Sequence, residues 1–176
     1  MKRLYLPLIL FLFVILEGVS LELLPPKLVM SDLLIIPHWV LIFLVFVSIF
    51  YDKEQTYYSV LYGVIFGLLL DIVYTGVLGV YMFTYAIVIY IIHGLKKLLH
   101  ANIHVTLLLG LIAITVADLL IYLIFFVIGL TEMSGEEYLF YRIIPTVLAN
   151  LLFLLVLYPF LRKRLVKWSD EQLTNN

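Results

Sequence analysis

Apolar residues run along the chain in six long blocks separated by short polar or turn-forming breaks. The blocks cover residues 4–24, 33–51, 57–74, 77–95, 103–130 and 139–161. Each is near the roughly 20 residues that a helix needs to cross a hydrocarbon core. The pattern therefore predicts an all-α integral membrane protein with six transmembrane helices in a compact bundle. The third and fourth blocks are the least clearly divided, with only Gly76 and Gly79 as punctuation. Residues 57–95 are too long for one ordinary span, so a tight hairpin is favoured over a single kinked element. Pro37 and Pro145 are expected to bend or begin spans, and Pro159 to lie in a final turn, where it costs less.

Composition changes the solvent rather than the element list. Of 176 residues, 65% are hydrophobic and 13% charged, and the mean hydropathy is +1.16. Soluble domains average about 45–50% apolar and about 25% charged. A globule this small leaves too much surface exposed to hide such a sequence from water. Residues 1–168 thus read as a single transmembrane domain, with 169–176 a polar, frayed cytoplasmic tail. Lys2-Arg3 ahead of an apolar run has the outline of a secretory signal. The run is longer than a signal core, and Gly18-Val19-Ser20 makes a poor cleavage site, so a retained first helix is expected. The chain has no Cys, which excludes disulfides, thiol nucleophiles and cysteine metal sites.

Charge fixes an expected orientation through the excess of Lys and Arg in cytoplasmic loops. With six spans and the N-terminus inside, Lys2, Arg3, Lys53, Lys96, Lys97, Arg162, Lys163, Arg164 and Lys167 fall inside, and only Lys27 and Arg142 outside. Both termini are therefore expected in the cytoplasm. Arg162, Lys163, Arg164 and Lys167 form an inner basic anchor facing membrane lipids, each cation near an anionic leaflet being worth about 1 kcal/mol. A net charge of −1 gives no reason to invoke nucleic acid.

Ionisable residues inside spans are costly and should face protein or water. Glu17, Asp71, Asp118 and Arg142 are the clearest cases and form a candidate intramembrane polar network. In the six-span register, Glu17, Asp71 and Arg142 lie in the outer half and Asp118 near mid-depth. Arg142 is accordingly expected to pair with Asp71 or Glu17. Gly63, Gly67 and Asp71 recur every four residues along one helix stripe, followed by Gly76 and Gly79. Small residues at that spacing let backbones approach closely in lipid, so these five positions form a candidate partner or packing stripe. Gly110 and Asp118 repeat the Gly63-to-Asp71 spacing, but the intervening residues do not match, which argues against an internal duplication.

Other chemistry is weakly supported. His100 and His104 are four residues apart but lack an acidic or Cys partner in their loop, and no metal or cofactor is expected. There is no Gly-x-Ser-x-Gly, phosphate loop or zinc motif, and the sequence is not read as an enzyme.

The stretch GVIFGLLLDIVYTGVLG, Gly63 to Gly79, with the N-terminal span after Lys-Arg, six segments and a basic tail, resembles the MreD family of bacterial rod shape-determining membrane proteins. Gly63, Gly67, Leu68, Asp71, Leu78 and Gly79 match the family pattern; Glu17, Asp118 and Arg142 have no motif counterpart. The resemblance implies a non-catalytic scaffold in the plasma membrane that serves cell-wall elongation. It further implies contact with a bitopic MreC-like partner, within a complex holding an MreB-like filament, a SEDS polymerase and its transpeptidase. It also implies a six-helix arrangement similar to the substrate-binding subunits of energy-coupling-factor vitamin transporters, an analogy of fold that does not fix function. The competing reading is a substrate-binding subunit of a small-molecule uptake system, with Glu17, Asp71 and Arg142 lining an outward pocket. A third, a proton or ion path through Glu17, Asp71 and Asp118, suffers from the scarcity of hydroxyl groups between them.

Overall fold

A computed structural model describes residues 4–23 and 33–174. The expected break at 25–32, the flanking Lys2, Arg3 and Lys27, and the last two residues lie outside the described residues. Among those described there are six helical elements and no strand. They are α1 (Tyr5–Leu23), α2 (Trp39–Phe50), α3 (Tyr58–Leu70, with a wide turn over Asp71–Thr75), α4 (Val80–Lys96), α5 (Ile103–Val127) and α6. The last begins at Gly135–Glu137, widens over Tyr138–Ile143 and continues over Ile144–Thr174.

The sequence WVLIFLVFVSIF of α2 has no polar face, and a helix apolar all round belongs in the middle of a structure. Accordingly, every residue from Val40 to Val47 is 0% exposed, with α1, α3, α4, α5 and α6 all packed against α2. Helix α1 buries Leu6, Leu10, Phe13 and Val14 towards it, and Phe13 meets Phe43 at 5.5 Å between ring centroids. Outward positions such as Leu8, Phe83, Leu123 and Leu152 are exposed, as expected of side chains whose solvent is hydrocarbon.

By length and composition, three helical stretches can cross a membrane: Tyr58–Thr75, Ile103–Val127 and Gly135–Glu171. The apolar stretches Tyr5–Ser20, Trp39–Phe50 and Val80–Lys96 are shorter. Helix α2, with 12 residues, rises only about 18 Å. The six residues ahead of it, 33–38, are not helical, and extended chain gains about 3.3 Å per residue. Fully stretched, the two pieces together would have the length to reach across the about 30 Å of a hydrocarbon core.

The weak division near Gly76 is a hairpin. Gly67 lies against Met82 and Gly63 against Tyr85, so α3 and α4 run antiparallel in close contact. Gly76 (φ 67°) and Gly79 (φ 101°) take the left-handed conformations that let the chain reverse. Helix α6 runs past Pro159 to Thr174, so this proline lies in the helix interior rather than in a final turn. Of the polar end, residues 169–174 continue this helix; Ser169 Oγ donates to Tyr51 O at 3.0 Å, and Trp168 stacks on Tyr5 at 5.5 Å.

Candidate functional site

The structure assigns the buried acids to helix starts and to one ion pair. A helix N-terminus presents unpaired N–H groups and a positive dipole end, both suited to a carboxylate. Glu17, on α1, supplies one across the bundle: its Oε1 accepts from Val40 N at 2.8 Å, at the start of α2. The residue preceding α2, His38, makes no side-chain cap of its own.

Asp71 performs the same task for α4. Its carboxylate accepts from Gly79 N (2.8 Å), Tyr81 N (2.8 Å) and Met82 N (3.2 Å). Its own carbonyl accepts from Gly76 N at 3.0 Å, closing the wide turn, and from Thr75 Oγ1 at 3.1 Å. One residue thus ends α3 with its backbone and starts α4 with its side chain. The glycines upstream let the hairpin close. A Cβ on Gly67 would lie 2.7 Å from Met82 Cα, and one on Gly63 would lie 3.4 Å from Tyr85 O. The Gly63–Gly67 face is therefore occupied by the chain's own α4. Of the partner and packing uses expected of this stripe, the close approach at Gly63 and Gly67 serves packing inside the chain.

Arg142 reaches Asp118, neither Asp71 nor Glu17. Its Nη2 donates to Asp118 Oδ1 at 3.1 Å, and its Nε lies 3.3 Å from both carboxylate oxygens. Asp118 is fully buried and the Arg142 side chain 14% exposed. His38 Nε2 lies 3.5 Å from the same carboxylate, and His38 Nδ1 lies 3.1 Å from Tyr85 Oη. Tyr138, under the guanidinium at 6.0 Å, stacks on Tyr122 at 4.0 Å. The expected four-residue network is thus split: Asp118 and Arg142 are brought together, while Glu17 and Asp71 each cap a separate helix. Asp71 and Arg142 each sit in a widened turn, a local rewinding that changes which way the following side chains face.

Several residues in this architecture carried no sequence signal. Non-helical backbone at membrane depth must find partners within the protein. Segment 33–38 finds them on α6. Thr146 Oγ1 accepts from Ile36 N at 3.0 Å and donates to Leu34 O at 3.2 Å. Asn150 Oδ1 accepts from His38 N, and its Nδ2 donates to Ile36 O, each at 2.8 Å. Thr146 and Asn150 are four residues apart and so share a helix face, the one signal that could have singled them out. Beside Glu17 lies a cavity of about 240 Å³ lined by Gly18, Ile36, Pro37, Leu70, Tyr74 and Tyr81. Tyr74 spans its edge, donating to Val14 O at 2.7 Å.

On the opposite end, Asp52 caps α3 through Tyr58 N (3.1 Å) and Ser59 N (2.9 Å), and burial raises its pKa above the ordinary carboxylate value. Lys96 donates to Ser48 O and to Asp52 O, and burial draws its ammonium down to about 8. Arg162 sits 5.8 Å over the Tyr158 ring; Lys163, Arg164 and Lys167 lie along the exposed side of the same helix.

The arrangement thus secures helix starts, a non-helical segment and a hairpin. The family model for rod shape-determining protein MreD matches residues 1–167. The rod shape-determining protein MreD of Bacillus subtilis (strain 168) is 32% identical over 157 residues, covering 89% of this chain and 90% of that protein. No solved structure matches the chain. With the family model covering nearly its whole length, the chain belongs to the MreD family of rod shape-determining proteins.

Proposed function

We propose that this chain is a non-catalytic membrane scaffold of the cell-wall elongation machinery. In this reading residues 1–168 form one domain that crosses the plasma membrane six times, with both termini in the cytoplasm. The short α2 crosses with the help of extended residues 33–38, and Lys53, Lys96, Lys97 and the anchor from Arg162 to Lys167 sit on the inner side.

The observation that carries the reading is where the polar groups point. Glu17, Asp71, Asp118 and Arg142 all bond groups of this chain, and the outward faces are Leu, Ile, Val and Phe. Such a body meets partners through packing in lipid, where van der Waals contact and interhelical hydrogen bonds drive association. A bitopic MreC-like protein is the partner, within a complex that includes an MreB-like filament, a SEDS polymerase and a transpeptidase. The small cavity beside Glu17, largely apolar and with its carboxylate already engaged, gives little purchase for an uptake role. The test is affinity purification of the tagged full chain from native membranes. Recovery of cell-wall elongation proteins is expected; recovery of an ATPase transport module instead would overturn the scaffold.

A further inference from the structure

A second cavity, about 470 Å³, opens between the connection that follows α2 and the one that joins α4 to α5. Lys53, Lys96, Lys97 and His100 line it, with Asp52 and Glu54 as the acids on its wall. Asp52 is engaged elsewhere: its oxygens accept from Tyr58 N, Ser59 N and, at 2.5 Å, Ser59 Oγ. Lys96 is held by two neutral carbonyls, Ser48 O and Asp52 O. These orient the ammonium without cancelling its charge, and an ammonium has three donors. Leu98, also on the wall, is 80% exposed, an apolar side chain in a cationic loop.

We propose that this cavity binds the phosphate of an anionic phospholipid headgroup, with Lys53, Lys96 and Lys97 as its cations and Leu98 against the acyl region. The pairing of fixed cations with an exposed leucine suits a ligand charged at one end and apolar at the other. Burial draws Lys96 down towards 8, and an anion seated beside it would raise it again. The lipid assignment rests on the inner, membrane-level placement of these two connections proposed above.

Native mass spectrometry of the full chain in detergent, titrated with phosphatidylglycerol or phosphatidylcholine, tests it. The wild type should retain phosphatidylglycerol preferentially. Lys53→Gln/Lys97→Gln should weaken that binding by roughly tenfold or more, and by more than Arg162→Gln/Arg164→Gln, which removes the same charge from the basic anchor. Equal retention of the two lipids, or unchanged binding by the Lys53/Lys97 variant, overturns the proposal. Displacement of the lipid by millimolar inorganic phosphate assigns the site to the free anion and overturns the lipid reading. If the double variant lacks the wild-type thermal midpoint, Lys97→Gln alone is read against the same criteria. Because the chain has no native Cys, Ala101→Cys, exposed on the same connection, reports placement separately. Labelling by an impermeant maleimide only after permeabilisation supports the inner side, and labelling in intact cells refutes the topology whatever the lipid result.

Discussion

Arg142 and Asp118 form a two-point contact from α6 to α5, the guanidinium Nη2 3.1 Å from Oδ1 and the Nε 3.3 Å from both oxygens. Removing one partner strands a charge in a low-dielectric interior, whereas removing both does not. Arg142→Ala and Asp118→Ala should each destabilise by about 3–5 kcal/mol. The double variant should be less destabilised than the sum by at least about 2 kcal/mol, whereas Arg142→Ala combined with Asp71→Ala should be additive within about 0.5 kcal/mol. Unfolding equilibria of the four variants in mixed micelles check this; coupling of Arg142 to Asp71 instead would refute the pairing.

Asp71 accepts three backbone N–H groups at the start of α4, and lost caps cost about 0.5–2 kcal/mol. Asp71→Ala should lie near the upper end, because three part-buried donors are freed at once. Amide exchange at Gly79, Tyr81 and Met82 should accelerate before that of the rest of α4. Uniform acceleration along the helix would show that the carboxylate is not a local cap.

Gly67 and Gly63 are both on the hairpin face but differ in room. A methyl at Gly67 meets backbone, which cannot rotate aside, so Gly67→Ala should cost about 1–3 kcal/mol. Gly63→Ala, with ordinary contact to Tyr85 O, should cost less than about 1 kcal/mol. Thermal midpoints rank the two, and equal losses would contradict the geometry.

Lys96 gives a pH signature at the end of the bundle that holds Asp52. Its folded pKa, about 8, lies below the ordinary 10.5, so between these values the unfolded chain holds the extra proton. Stability should therefore rise with pH across that window. Acylation of Lys96, followed by peptide mass spectrometry, should show a rate midpoint near pH 8 in the folded chain and near 10.5 after unfolding. Asp52→Asn, which removes a carboxylate that favours the ammonium, should move the folded midpoint lower still.

Asn150 holds both Ile36 O and His38 N. Truncating it leaves two buried backbone groups unsatisfied at about 1–3 kcal/mol each. Asn150→Ala should therefore rank among the most damaging single changes on α6, and Asn150→Leu should not rescue it. A wild-type midpoint for either would mean that segment 33–38 finds other partners.

The membrane character, the hairpin and the packing role of Gly63, Gly67 and Asp71 were legible because each rests on local spacing. The partner of Arg142 was not. A regular rise of about 1.5 Å per residue does not hold around that residue. Arg142 sits in the widened turn 138–143, so it and the positions beyond shift in height and in facing direction. Thr146 and Asn150 escaped notice for a different reason. A neutral amide and a hydroxyl in an apolar helix are common, and what singles these out is a backbone more than 100 residues away.

That separation has a consequence for biosynthesis. The groups that satisfy segment 33–38 are 107 to 114 residues further along the chain, from Tyr141 O, which accepts from Leu34 N, to Asn150. At about 5–20 residues per second, they are made roughly 5–20 seconds after the segment itself. Until then the chain supplies no side-chain partner for these groups, and Pro37 opposes winding the segment onto α2. The folding of this segment therefore waits on the synthesis of α6, however early α2 itself is made.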